Sequence, residues 1–251
     1  ELGGQPAFPT NLSINERTAH YTPSSDDESI AEGLLKVDFG AHVDGWCSDT
    51  AFSIDLENSD ENKKLIQTAE KALTKAIEII NENVENGEIG KTIQETINKE
   101  GFIPIANLSG HQIDNYDLHA GLTIPNINNK SNFTIENGLY AIEPFTTLPN
   151  ASGYVKDSGP SGIYMLVDSK NVRSPIAREL LDYILEEHET LPFCSRWLVK
   201  KFGTKALFGL RQLEQNENLH HFKSLIETSG AKVAQAEHTV LIEKEKIVTT
   251  E

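Results

Sequence analysis

The sequence predicts an α+β protein in which antiparallel strands are backed by helices and interrupted by a helical block. Three observations carry that expectation: a hairpin signal within residues 34–56, two helical periodicities directly after it, and strand-like runs on both sides of the 94-position step from Glu143 to Glu237. The 251 residues fit one large domain or one domain with an insertion, and 38% hydrophobic residues suffice for a substantial core.

The hairpin is read from LLKVDFGAHVDGWCSDTAFSIDL, two runs rich in Val, Phe and Ile around Asp44-Gly45. Asp-Gly between such runs is a strong turn signal, because both central positions of a type I′ turn need φ > 0. With that turn, Gly40 faces Asp49, and Asp38 shares Asp49's face on the diagonal, within roughly 7–8 Å. Leu65, Ala69, Ala72, Leu73, Ala76 and Ile80 then recur at helical spacing, which predicts a helix over 60–86 with Ser59 as N-cap and Gly87 at its end. Ile89, Ile93 and Ile97 predict a shorter helix over 88–100, stopped by Gly101.

FIPIANLSGH, LYAIEPFTT and the two runs in KVAQAEHTVLIEKEKIVTT read as strands. Between them lie helical stretches near 174–189 and 216–228, with LPFCSRWLVKKF in the middle. The expected organisation is a main domain of residues 1–160 and 225–251 carrying an inserted helical subdomain, 161–224.

Composition removes several functions. Twenty-two Lys plus Arg against 38 Asp plus Glu leave a net charge of −16, which disfavours phosphate-backbone binding and anionic membrane surfaces. No apolar run approaches the twenty residues of a membrane span. Two cysteines, Cys47 and Cys194, are too few for a disulfide scaffold or a cysteine zinc site and fit a reducing compartment.

The residues with chemical promise are acids and histidines set in apolar runs. Asp38 and Asp49, hemmed by Val37, Phe39 and Phe52, cannot both remain ionised cheaply, since burial and a nearby like charge each penalise the charged form. A cation removes that difficulty. His111, His119, Glu143 and Glu237 also follow or sit inside apolar strand-like runs, where a charge needs a partner. Singly, each is more often a satisfied core histidine or an edge carboxylate. Together with the Asp pair they offer four carboxylates and, from either histidine, an imidazole, a set suited to two Mn²⁺, Fe²⁺, Co²⁺ or Zn²⁺ ions sharing bridging carboxylates. His42, His188, His220, His221 and His238 read as ordinary structural or surface residues, and Cys47, which shares Asp49's face, as a packed thiol.

At this point the chain resembles a known family. FPTNLSINERTAHYTP, KVDFGAHVDGWCSDTA, NLSGHQIDNYDLHAG, AIEPF, LPFCSRWL and VAQAEHT are similar, in order, to segments of the type II, archaeal-like methionine aminopeptidases. The long step between Glu143 and Glu237 matches the helical insertion typical of type II.

The resemblance implies a pita-bread fold, an antiparallel sheet backed by two helix pairs. Only one pair, 60–86 and 88–100, is visible, and ELGG reads as a helix end, so a further helical pair is expected ahead of Glu1. The resemblance also implies the site. Asp38 holds one divalent ion, Asp49 and Glu237 bridge, and His111 and Glu143 hold the second, each ion being Co, Mn, Fe or Zn. Glu143 accepts the proton of the attacking water, while His20 and His119 bind substrate and steady the tetrahedral intermediate. Phe8, Pro9 and Leu118 line the methionine pocket. The implied activity is cytoplasmic removal of the initiator methionine from nascent polypeptides when the next residue is small and uncharged. The implied molecule is a monomer that meets its substrate at the ribosome without direct contact to nucleic acid or membrane.

Two other readings share these features. A prolidase or aminopeptidase P has the same fold and ligand types, but the residues around His111 and the LPFCSRWL segment favour the first reading. A non-catalytic binding relative would be expected to lack ligands and to carry basic patches, whereas this chain keeps all five ligands and is acidic.

Overall fold

The computed structural model describes residues 3–251, so the reading of ELGG as a helix end falls partly outside the described residues. Three short strands, β1 (Gln5–Pro6), β2 (Asn11–Ile14) and β3 (Arg17–Ala19), lead to a hairpin of β4 (Leu34–Val43) and β5 (Trp46–Asp55). Helices α1 (Asp60–Ile79) and α2 (Asn86–Lys99) follow, then β6 (Ile103–Pro104), β7 (Ser109–Asp114), β8 (Asp117–Pro125), β9 (Gly138–Ile142) and β10 (Phe145–Thr147). The next block is β11 (Val155–Leu166), α3 (Pro175–Glu187), β12 (Phe193–Cys194), α4 (Ser195–Phe202), α5 (Lys205–Gln215) and β13 (Leu219–Glu227). Strands β14 (Val233–Gln235), β15 (His238–Ile242) and β16 (Lys246–Val248) close the chain.

The hairpin has the expected turn and register. Asp44 and Gly45 both take positive φ, 49° and 83°, and Gly40 pairs with Asp49. All the ladders are antiparallel: β2 and β1 flank β4, whose other edge takes β5, and a second sheet runs β16-β15-β9-β7-β8. Helices α1 and α2 pack their apolar faces on this assembly, with Leu65, Ala72, Ala76, Ile89, Ile93 and Ile97 buried against Ile124, Tyr140, Ile142, Ala234 and Val240. Each fully buried Ile or Leu contributes about 1.5–3 kcal/mol, which anchors the helices more firmly than propensity does.

Ser59 caps α1 by accepting from the Asn62 amide, but the helix ends at Ile79, short of the predicted 86. Asn83 takes positive φ, its amide donates to the Ile135 carbonyl, and Glu85 bridges to Thr134. The 81–85 backbone therefore spends its hydrogen bonds on a distant segment rather than on continuing the helix. Gly87 lies inside α2, not at the end of α1.

The larger correction falls at 216–228. Residues 219–227 form strand β13, which pairs with β11 on one side and β3 on the other. The helix of that region is α5, at 205–215, whose central Gly209 argues against a helix in sequence. A Cβ at Gly209 would lie 2.5 Å from Leu180 Cδ1, so the glycine lets α5 pack closely on α3. Leu180, Leu181, Ile184, Phe193, Leu198, Leu210 and Leu213 form an apolar cluster for this block, separate from that under α1 and α2. The expected boundaries at 161 and 224 fall within β11 and β13.

One buried cation braces the front of the molecule. Lys36 is 1% exposed, and its Nζ donates to the carbonyls of Asn15 (3.0 Å) and Val233 (2.7 Å). Burial pulls its pKa down to about 7.

Opposite, the outer face of the hairpin leaves Phe39, Val43, Trp46, Phe52 and Ile54 exposed, with the Phe39 and Phe52 rings edge to face at 6.2 Å. Exposed aromatic and aliphatic side chains gathered on one sheet face promote self-association. Replacing Phe39 and Phe52 together by Thr, which keeps strand propensity, should lower light scattering on heating and leave peptide hydrolysis unchanged. Equal scattering from both proteins would remove the patch as the cause.

Candidate metal centre

The site forms where β5 meets the segment from Gln235 to Thr239. No continuous ladder joins them; Ala51 and Glu237 make a single antiparallel bridge, in which the Glu237 amide donates to the Ala51 carbonyl at 2.8 Å. Hydroxyls take over the rest. Thr50 Oγ1 donates to the Glu237 carbonyl (2.8 Å), Ser53 Oγ to the Gln235 carbonyl (2.7 Å), and Thr239 Oγ1 both donates to the Asp49 carbonyl (2.6 Å) and accepts its amide (2.7 Å). Asp49 and Glu237 are thereby fixed side by side, and Asp38 reaches the same place across the hairpin diagonal.

The second sheet delivers the other two groups. His111 on β7 pairs with Ala141 of β9, and Glu143 follows the end of that strand. His111 Nε2 lies 3.6 Å from Asp49 Oδ2 and 3.8 Å from Glu143 Oε1, and ligand atoms of Asp49, His111 and Glu237 all fall within 4.8 Å of one another. Gln235 Nε2 donates to Glu143 Oε2 (3.4 Å) and to Glu237 Oε2 (3.3 Å), steadying the two glutamates with one amide.

Electrostatically the cluster is unfinished. Burial pushes the Asp38 carboxyl up to about 7. Burial, then the charge of Asp38, raises Asp49 well above its ordinary value. Glu143 and Glu237 are raised in the same way, by burial first and then by the neighbouring carboxylates. His111 gives no compensating charge, because burial and the nearby His119 pull its pKa down to about 3, so its contacts to the carboxylates are not ion pairs. Its Nδ1 lies 3.4 Å from the Gln112 carbonyl, an arrangement that puts the proton there and leaves Nε2 bare toward the acids.

Among the described residues no Lys or Arg lines the cavity, and Asp38 Oδ1 and Asp49 Oδ1 are buried without a hydrogen-bond partner. Four carboxylates and a neutral imidazole that lack a protein counter-charge fit a divalent cation.

The cavity, of ≈ 520 Å³ with part of it open to solvent, brings all ten sequence-inferred residues together: Asp38, Asp49, His111, Glu143 and Glu237, with His20, His119, Phe8, Pro9 and Leu118. Phe8 and Leu118 belong to a buried apolar cluster with Cys47 and Ile113 behind the wall. His20 sits at φ 56°, its ring edge-on to Phe222 at 5.4 Å, and burial followed by the nearby His119 lowers its pKa to about 4. His119 meets His111 at 4.4 Å, and desolvation by the groups packed around its ring lowers its pKa too, with Asp117 opposing.

Asn11, Ala19, Ile163, Pro192 and Phe222 also line the cavity and were not singled out from sequence. Ile163, Pro192 and Phe222 come from the block whose strands were unrecognised. Gln235 and Thr239, two positions either side of Glu237, were legible in principle, since a strand alternates faces. His42, His188, His220, His221 and His238 lie outside the cavity.

The metallopeptidase family M24 model matches residues 1–244. The chain belongs to this family. Its relatives include the methionine aminopeptidase of Methanothermobacter thermautotrophicus, 44% identical over 98% of this chain and 83% of that protein. The methionine aminopeptidase of Pyrococcus horikoshii is also 44% identical, over 100% of this chain and 86% of its own. Within the family the chain therefore groups with the archaeal methionine aminopeptidases, and it is a metal-dependent aminopeptidase. Similar solved folds include a protein described as a thermophilic Arx1 (TM-score 0.80, 15% identity, 98% of this chain and 76% of that one). A methionine aminopeptidase from Thermotoga maritima gives a TM-score of 0.64 at 21% identity, covering 99% and 79% of the two chains. At these identities they establish the pita-bread fold alone.

A raised carboxyl pKa has a sign that can be checked. Asp38 keeps its proton below about 7, and binding a divalent ion must displace it. Apparent Mn²⁺ affinity of the stripped protein should therefore rise from pH 6 to pH 8, by up to about tenfold per unit for each proton released. Titration calorimetry in two buffers of different ionisation enthalpy measures that release; an affinity independent of pH would contradict it.

Proposed function

We propose that this chain removes the initiator methionine from nascent polypeptides in the cytoplasm when the following residue is small and uncharged, using two divalent ions held by Asp38, Asp49, His111, Glu143 and Glu237. The observation that carries the reading is the meeting, in one cavity, of an acid cluster without a counter-charge and an apolar wall of Phe8, Pro9 and Leu118. An unbranched thioether suits such a wall. The enzyme acts as a monomer at chain ends emerging from the ribosome, and its net charge of −16 keeps it from direct nucleic-acid or membrane contact. Among the described residues no helix is long and apolar enough to cross a membrane.

When bound, the ions lower the pKa of water and polarise a carbonyl. The chain's own residues do the rest. Glu143, whose Oε2 is held by Gln235, takes the proton of the attacking water and returns it to the leaving amine. His20, neutral at pH 7 because its pKa lies near 4, faces the scissile peptide and steadies the charge that develops there together with His119. Phe222, packed against both rings, keeps water from that side.

Two experiments test this. Met-Ala-Ser should be cleaved and Met-Lys-Ser refused, while a preference for Ala-Pro peptides would move the chain to the aminopeptidase P reading. His20→Ala should lose about a hundredfold to a thousandfold in rate with metal content near normal, whereas Glu237→Ala should lose both; equal metal loss in the two variants would make His20 a ligand.

A further inference from the structure

We infer that Asn11 binds the free α-amino group of the substrate, so that this side chain helps restrict the enzyme to chain ends. This rests on the aminopeptidase reading above and adds to it a recognition residue.

Asn11 is 5% exposed, lines the cavity, and lies on β2 directly across from Asp38 of β4. Directly opposed residues of an antiparallel pair hold their Cβ atoms about 4.5–5.5 Å apart. The amide's orientation is fixed by chemistry: Nδ2 donates to the Pro9 carbonyl at 3.2 Å, and a carbonyl can only accept. Oδ1 must then point away from Pro9, and it is buried with no hydrogen-bond partner. Asp38 Oδ1 is orphaned in the same way.

Two unsatisfied acceptors on facing residues call for a donor between them. A buried acceptor left alone is unfavourable, and such a group is retained where a ligand completes it. Asp38 is assigned to metal, but an uncharged amide oxygen is a weak partner for a divalent ion already offered four carboxylates. It is a good partner for N–H. Phe8 and Pro9, three and two positions upstream, form the wall for the first side chain in that reading, so the donor arriving beside Asn11 is the one on the same Cα, its amine. An internal peptide nitrogen carries an acyl group, which the space beside Asp38 would have to admit, and it keeps a single hydrogen where a free amine has two or three to share between the two acceptors.

The test compares two inhibitors differing only in that amine, L-methioninamide and 4-(methylthio)butanamide, against the metal-loaded protein and its Asn11→Leu and Asn11→Asp variants, with metal content measured in each. The wild type should prefer the amine-bearing compound. Asn11→Leu should lose about tenfold of that preference, leaving affinity for the desamino compound within about twofold and metal content unchanged. Asn11→Asp, which keeps the acceptor, should retain the preference; this variant decides the matter if the leucine variant does not fold. Equal preference in wild type and Asn11→Leu overturns the inference, as does an equal drop for both compounds, which would make Asn11 a shaping residue only. A wild type that cleaves no methionyl peptide overturns the underlying reading instead.

Discussion

Repulsion among Asp38, Asp49, Glu143 and Glu237 is the constraint on which the rest of this structure depends. Two unit charges about 4 Å apart repel by about 4 kcal/mol at an effective dielectric of 20, and a domain has only about 5–15 kcal/mol of net stability. Several such pairs, left charged, would rival the whole. The protein answers by holding the acids on elements that cannot drift apart. The β4–β5 register sets Asp38 against Asp49, the bridge at Ala51 sets Glu237 beside Asp49, and the hydroxyls of Thr50, Ser53 and Thr239 fasten that junction. Among the described residues no Lys or Arg lines the cavity, and that omission makes the place suited to protons or a divalent ion.

A second junction, between β13 and β3, joins the catalytic half and the helical block into one functional unit. Strand β13 lies between β11 and β3, and β3 ends at Ala19, next to His20. Phe222 of β13 thereby meets His20 and His119. The block has its own apolar cluster, yet it supplies one wall of the cavity through Ile163, Pro192 and Phe222.

How much of this was legible in the sequence follows from how local each signal is. The hairpin register could be read from Asp44-Gly45 because a two-residue turn fixes every later pairing, and with it the Asp38–Asp49 diagonal. Glu143 and Glu237 stood out as acids in apolar runs. The end of α1 was not legible, since Asn83 and Glu85 leave the helix for partners at 134 and 135. Nor was β13, whose alternation is irregular and whose strand character depends on β11, with its register shifts near Pro160. Losing β13 also hid Phe222. Asn11 escaped for a different reason: an asparagine in a short polar-looking segment carries no mark of burial until β4 is laid beside it.

Lys36 gives the front of the molecule an ion that dialysis cannot remove. Its amine ties the Asn15 and Val233 carbonyls, 197 positions of chain separating donor and acceptor in the second case. Near its depressed pKa the group alternates between ammonium and neutral amine, but two acceptors need only two hydrogens, and both forms have them. The brace therefore outlasts a change of proton count. Strand β4, which carries Asp38 two positions along, is thereby tied to the start of β14 by a group that needs no added ion.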